Sequence, residues 1–198
     1  MAGLILASAS EIRARLLANA GVSFDIRPAR VDENSVKASL LAEGADGRAI
    51  ADALAELKAV RVSATVSETL VLGADQVLLF DGQLVNKCED MAGAAFLLKA
   101  MRGKPHQLVS AAVLAKGGRA IWRRLDTVSL WMRPASDAFL EDYLAAEGPE
   151  ILASVGCYRF ESRGAQLFER IEGDYFSILG LPLLPLLAAL RDQDVIAK

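Results

Sequence analysis

Two short polar interruptions, each placed where an apolar run ends, hold the side chains of this chain best suited to chemistry. Leu4-Ile5-Leu6-Ala7 runs into Ser8-Ala9-Ser10-Glu11-Ile12-Arg13, and Leu70-Val71-Leu72-Gly73-Ala74 runs into Asp75-Gln76. The first supplies hydroxyls from Ser8 and Ser10, the unpaired N–H groups of a helix start and the Arg13 guanidinium, all attractive to phosphate. The same residues also suit a plain helix cap beside a solvated arginine, and Glu11 competes with any anion held there. Asp75 closes a run that reads as buried, so its carboxylate requires a solvated cleft, a charged partner or a metal ion. A turn aspartate capping local N–H groups is the structural alternative. Glu33 follows another strand end and can add a second carboxylate. A hard divalent cation such as Mg2+ needs only one or two of these when substrate phosphates complete its shell. Lys58 and Lys87 are the candidate phosphate-neutralising cations.

Other chemistries find less support. His106 is the only histidine and no G-x-S-x-G accompanies it, so it reads as structural or as lining a cleft. Neither a P-loop nor a G-x-G-x-x-G fingerprint is present. The late segment Gly156-Cys157-Tyr158-Arg159-Phe160-Glu161-Ser162-Arg163-Gly164 is irregular, aromatic and charged. Such a loop can stack on a base while Glu161 accepts from its N–H edge, or it can be a plain surface loop. Taken together, these residues suit an enzyme acting on a nucleotide or another phosphate ester.

The elements that must position them follow from periodicity. Both apolar runs are short and lack a helical period, so each reads as a strand buried on both faces. Polar groups at the carboxyl ends of such strands are where open α/β sheets bind ligands. Ser10 is expected to cap a helix whose apolar face is Ile12, Leu16, Leu17 and Ala20, stopped by Gly21. Residues 24–29 read as a second strand, leading to a polar turn with Asn34 as the next cap. Residues 35–42 and 48–64 are helical by composition. In the longer helix Ile50, Leu54, Leu57 and Val60 form the core stripe, with Lys58 off its centre.

Residues 69–74 form a buried strand and 77–80 a separate one, followed by a tight turn at Asp81-Gly82 and a short return over 83–85. A helix over 92–101 stops at Gly103. Residues 107–116 and 120–132 make a long hairpin around Gly117-Gly118, and Ser136 caps a helix reaching residue 146. A strand over 165–171 precedes the apolar stretch 178–190, which contains Pro182 and Pro185 and reads as a buried turn plus a last core helix. Alternating strands and helices followed by a hairpin predict an α/β protein with a mixed sheet.

With 198 residues, 53% of them apolar, the chain can bury one large core or two closely packed lobes. A net charge of −3 without a basic run argues against polymeric nucleic acid as partner, whereas a few focused cations suffice for a small polyanion. Cys88 and Cys157 lack metal-ligand spacing and read as two reduced thiols. No secretory signal pattern opens the chain, and 178–190 is too short to span a bilayer. A soluble cytoplasmic protein with no membrane partner is expected.

Seven blocks in order resemble the Maf family, the septum-formation-inhibitor-related nucleoside triphosphate pyrophosphatases, from Leu4 to about Leu190. Leu6-Ala7-Ser8-Ala9-Ser10 with Arg13 and Leu16-Leu17 resembles the family opening L-A-S-x-S-P-R-R-x-x-L-L. Asp32-Glu33 is similar to its early D-E, and Leu57-Lys58-Ala59 to its helical L-A-x-x-K-A. Gly73-Ala74-Asp75-Gln76-Val77 matches G-A-D-[TQ]-V, and Lys87 stands at the lysine that follows. Gly103-Lys104-Pro105-His106-Gln107 resembles S-G-x-x-H, while Gly173-Asp174-Tyr175 and Gly180-Leu181-Pro182-Leu183 match G-D-Y and G-L-P-L.

The resemblance implies an elongated α/β domain over residues 1–198, with a deep cleft between two lobes, akin to the inosine-triphosphatase-like enzymes. It implies hydrolysis of a nucleoside triphosphate to the monophosphate and pyrophosphate with a divalent metal, Mg2+ or Mn2+, in a homodimer. Asp75 would be the catalytic acid, acting as base or metal ligand. Ser8, Ser10, Arg13, Lys58 and Lys87 would bind phosphate, with Glu33 beside Asp75 at the metal. Ile12, Gln76 and Glu161 would stand at the positions that select the base. Departures exist: Glu11 and Ile12 replace the usual proline and first arginine, Asn86 and Cys88 flank Lys87, and Ala153-Ser154 replace D-K. Gln76 with Glu161 looks like the branch hydrolysing 7-methylguanosine triphosphate. A nucleotide-binding regulator of cell division without turnover is the alternative, and the missing second lysine is its support.

Overall fold

The computed structural model describes residues 3–66 and 68–198. Its strands are β1 (Leu4–Leu6), β2 (Asp25–Ile26), β3 (Leu70–Phe80), β4 (Gln83–Val85), β5 (Pro105–Lys116), β6 (Arg119–Met132) and β7 (Phe168–Glu172). They form one mixed sheet in the order β2-β1-β3-β5-β6-β7, with β4 paired to β3. β1 runs parallel to β2 and β3, whereas the β3–β4 and β6–β7 pairs are antiparallel. The helices are α1 (Glu11–Asn19), α2 (Glu33–Ala42), α3 (Gly47–Ser63), α4 (Met91–Met101), α5 (Asp137–Glu147), α6 (Tyr175–Ile178) and α7 (Leu183–Asp192). This is the expected α/β class. Among the described residues no helix is long and apolar enough to cross a membrane.

The chain divides into two compact units. The first holds the described residues up to Gln76 with Ser110–Asp126 and Asp174–Lys198. Its β1 and the start of β3 are buried throughout, as expected of strands covered on both faces. Ile5, Ala7, Val62 and Val71 pack together there, with Ala29 and Val66 against them. Three local expectations change. The strand over 24–29 shrinks to Asp25–Ile26, both exposed, so no core face holds a longer pairing in place. Asn34 does not cap α2, because the Asp32 carboxylate reaches the Ser35 N–H at 3.1 Å and places Glu33 and Asn34 inside the first turn. On α1 the buried stripe is Arg13, Leu16 and Leu17, while Ala20 is exposed.

β3 brings the largest correction. It does not end before Asp75 but continues unbroken from Leu70 to Phe80. Polar residues stop a buried strand only when they lack partners. Here successive side chains point to opposite faces, and both Asp75 and Gln76 find partners on their own face. The ladder therefore runs straight through them.

The second unit comprises Val77–Val109 and Thr127–Gly173. Its local signals read as expected. Asp81 and Gly82 both take positive φ in the β3–β4 turn, as a two-residue hairpin turn requires. Ser136 caps α5 by accepting from the Phe139 N–H. The strand expected over 165–171 begins later, at Phe168, after a 3-10 turn over Arg163–Leu167.

Candidate active site

The centre is built where α3 lies on β3. A Cβ on Gly73 would fall against the Ala55 carbonyl oxygen, 2.6 Å from the Ala59 nitrogen and 2.8 Å from its Cβ. Only glycine permits that approach, and it sets the helix backbone directly over the strand. The buried positions of α3 include Ile50, Leu54, Ala55, Lys58, Ala59 and Val62. Lys58 is thus on the buried stripe and not off its centre, whereas Leu57 and Val60 are only half-buried. A lysine holds such a position only with its charge paired. Lys58 Nζ donates to Asp75 Oδ1 at 2.7 Å and lies 2.6 Å from Glu33 Oε1. Asp75 is 4% exposed, and its Oδ2 is buried with no hydrogen-bond partner. One oxygen is anchored and the other stands unsatisfied.

Arg13 adds the second cation. Its Nε donates to the Gly180 carbonyl at 2.9 Å, and Nη1 donates to Ser8 Oγ at 3.1 Å and the Ala74 carbonyl at 3.0 Å. Burial lowers the Arg13 pKa from its ordinary value, while the charges of Asp75 and Glu33 act to raise it. Gly180 has φ +90°, and a Cβ there would stand 3.2 Å from Arg13 Nε. Its carbonyl can meet the guanidinium because no side chain stands in the way. Ser8 accepts from the Ser10 N–H as well. Ser10 sits at the N-cap of α1 but its side chain makes no capping bond, so the expected Ser10 cap does not form. Ile12 is half-buried on α1 next to Arg13.

Gln76 points to the face opposite Asp75. Its Nε2 lies 2.9 Å from Ser110 Oγ and 3.0 Å from each of the Ser177 and Ile178 carbonyls. Two backbone carbonyls require a donor there, so the amide nitrogen is fixed inward and Oε1 is the oxygen turned the other way.

Ser8, Arg13, Glu33, Lys58 and Asp75 therefore come together in the first unit. Lys87 and Glu161 belong to the second, Lys87 exposed after β4 and Glu161 exposed in the irregular loop. Tyr158 is not available for stacking on a ligand. It is 4% exposed, its hydroxyl lies 2.8 Å from His106 Nε2, and its ring packs edge-on against Phe168. His106 is buried, consistent with its structural reading, and burial lowers its pKa to about 4.

Sequence reasoning missed Gly180, Ser110 and Ser177 as parts of the site. Gly180-Leu181-Pro182 carries a turn signal, but nothing local says that the turn faces an arginine 167 residues earlier.

The donors also bear on a metal ion. Among the described residues no group of three or more His, Cys, Asp or Glu side chains is arranged to hold one. The two carboxylates beside Lys58, one with an unsatisfied buried oxygen, fit a hard divalent cation that completes its shell with phosphate and water.

Known proteins resemble this chain over nearly its whole length. Residues 3–193 match the family described as Maf-like protein. The chain is similar to a protein of Caulobacter vibrioides named nucleoside triphosphate pyrophosphatase, 52% identical over 186 residues that cover 94% of this chain and 93% of that one. A Granulibacter bethesdensis protein of the same name is 50% identical over 193 residues, 98% of each chain. A Rhizobium meliloti protein named 7-methyl-GTP pyrophosphatase is 47% identical over 193 residues, 98% of this chain and 97% of that one. With its motifs in order, its α/β fold and a match over nearly its whole length, this chain belongs to the Maf family.

Proposed function

We propose that this protein is an enzyme that hydrolyses a nucleoside triphosphate to the nucleoside monophosphate and pyrophosphate, with Asp75 at the reacting centre. The observation that carries the reading is the asymmetric environment of Asp75, Oδ1 held by Lys58 and Oδ2 buried without a partner. The anchored oxygen orients the carboxylate, and Oδ2 takes the proton of a water attacking the α-phosphorus. Lys58 and Arg13 place positive charge where the pyrophosphate leaves, and Ser8 adds a hydroxyl to the same anion site. Lys87 and Ser10 are the further phosphate-binding candidates by their place in the family motifs. Glu33 would hold Mg2+ or Mn2+, joined by Asp75 where that carboxylate serves as metal ligand instead of base; the ion when bound neutralises the triphosphate and polarises its phosphoryl oxygens.

The finer reading is a modified purine, 7-methylguanosine triphosphate, as substrate. Glu161 accepts hydrogen bonds only, and the fixed amide of Gln76 turns its oxygen away from the Ser177 and Ile178 carbonyls. Guanine offers adjacent N1–H and N2–H2 donors, and 7-methylation makes that edge more acidic. Uracil and thymine set one N–H between two carbonyls, so an acceptor-only site opposes their lone pairs. Ile12 leaves the third selecting position without a charge. Assembly as a cytoplasmic homodimer belongs to the same proposal.

Pyrophosphate release from a panel of nucleoside triphosphates with Mg2+ or Mn2+ tests the activity, and Asp75→Asn tests the centre. The near-isosteric variant should fold and lose turnover. Nucleotide binding without pyrophosphate release by the wild type would support a non-hydrolysing regulator instead.

A further inference from the structure

The loop that carries Glu161 has no regular secondary structure, yet it is tied down from beneath by one buried carboxylate. The Ser162 N–H donates to the Arg159 carbonyl at 3.1 Å, closing a four-residue turn, Arg159-Phe160-Glu161-Ser162, with Glu161 near its tip. Both ends of that turn meet Glu147, the last residue of α5. Arg159 Nε and Nη2 each lie 2.7 Å from Glu147 Oε2, and Ser162 Oγ donates to Oε1 at 3.4 Å. The Glu147 side chain is 2% exposed, while Arg159 Nη1 reaches outward to Glu150 at 2.6 Å.

The surroundings leave the turn little room to move. A Cβ on Gly164 would come within 2.8 Å of the Arg159 carbonyl carbon, so the chain closes tightly over the turn. On the other flank Cys157 takes φ +55°, and Gly156 lies under the Tyr158 ring. A buried carboxylate facing a planar guanidinium has a defined direction, which a lone surface lysine would not impose.

We infer that Glu147 is a positioning residue for base selection: through Arg159 and Ser162 it fixes the turn that presents Glu161 to the nucleobase. This rests on the reading of Glu161 as the base-selecting carboxylate. Glu147 itself touches no substrate. Its effect is to hold an acceptor in register with an N–H edge, where a displacement of about 1 Å can cost up to roughly a hundredfold in rate.

The test compares wild type with Glu147→Gln, Arg159→Lys, Glu161→Gln and the Glu147→Gln/Glu161→Gln double variant. Two quantities are read: the ratio of kcat/KM for 7-methylguanosine triphosphate over uridine triphosphate, and the competitive inhibition constant of pyrophosphate, a probe with no base. Arg159→Lys keeps the charge against Glu147 and serves if Glu147→Gln does not fold. The expected result is a roughly tenfold loss of the ratio, mainly through KM, in each single variant, with pyrophosphate inhibition unchanged. The double variant should lose no more than Glu161→Gln alone, because Glu147 acts through Glu161.

Three results overturn the inference. The ratio can survive in Glu147→Gln and Arg159→Lys while falling in Glu161→Gln, which spares the base reading and removes the clamp. Losses in the double variant can add, or pyrophosphate inhibition can weaken in parallel, which would mean a general structural role. No wild-type preference, or none lost in Glu161→Gln, refutes the base reading itself and the inference with it.

Discussion

Gly73→Ala should damage the centre without touching any charged group. The new methyl would meet the Ala55 carbonyl oxygen, and it would stand 2.6 Å from the Ala59 nitrogen and 2.8 Å from its Cβ. All three belong to α3, two of them backbone atoms, so no side chain can swing aside. Ordinary contact is restored only if the helix withdraws from the strand by about 1 Å, an overpacking strain of about 1–3 kcal/mol. Lys58 lies one turn from Ala55 and adjacent to Ala59, so the same withdrawal stretches its 2.7 Å bond to Asp75 Oδ1. A misplacement of about 1 Å at a reacting group can cost up to roughly a hundredfold in rate. Urea unfolding and steady-state kinetics on one preparation measure both effects. The expected outcome is a modest stability loss with a larger fall in kcat than in substrate affinity. Unchanged stability and kcat would refute the close-approach account of the site.

Acid should destabilise the fold through His106, whose folded pKa of about 4 lies below its ordinary 6.5. The native state then binds fewer protons than the unfolded chain, so its contribution is lost as pH falls from 6.5 towards 4, by about 2.5 kcal/mol between neutrality and roughly pH 4.5. His106→Gln, which keeps a partner for the Tyr158 hydroxyl, should flatten that part of the stability–pH curve; parallel curves for variant and wild type would remove His106 as the cause. Arg13→Lys should lower kcat/KM at least about tenfold, because one ammonium cannot serve the Gly180 and Ala74 carbonyls and Ser8 together, and each buried acceptor left unpaired costs about 1–3 kcal/mol. Lys87→Ala should lower kcat/KM for triphosphates roughly tenfold to hundredfold while unfolding at the same denaturant concentration, since Lys87 is exposed. Equal triphosphate affinity by calorimetry in wild type and Lys87→Ala would make it a solvated surface group.

What could be read from the sequence was local or followed the period of one element. The Ser136 cap, the turns at Asp81-Gly82 and Gly117-Gly118, and the long hairpin follow from short-range backbone chemistry. The polar groups of the site were identifiable by type, and their motifs in order pointed to the family. Their pairings were not legible. Asp75 looked like a strand terminus because its lysine lies 17 residues earlier on a helix, and Gln76 because its acceptors lie 34, 101 and 102 residues later. With those partners supplied by the fold, β3 had no reason to stop. Lys58 looked peripheral for the same reason, since a hydrophobic pattern places a lysine outside the stripe until a buried carboxylate is known to face it. The Glu147–Arg159 bond had no periodic signal at all. It joins a helix end to an irregular loop 12 residues on.

The most direct measurement is the fate of water oxygen when the wild-type protein turns over a nucleoside triphosphate in heavy-oxygen water with Mg2+. Attack at the α-phosphorus predicts monophosphate and pyrophosphate in equal amounts, with the label in the monophosphate and none in the pyrophosphate, and no turnover by Asp75→Asn. Diphosphate and labelled orthophosphate as products, or turnover by Asp75→Asn at the wild-type rate, would contradict the assignment of Asp75 and the pyrophosphatase reaction built on it.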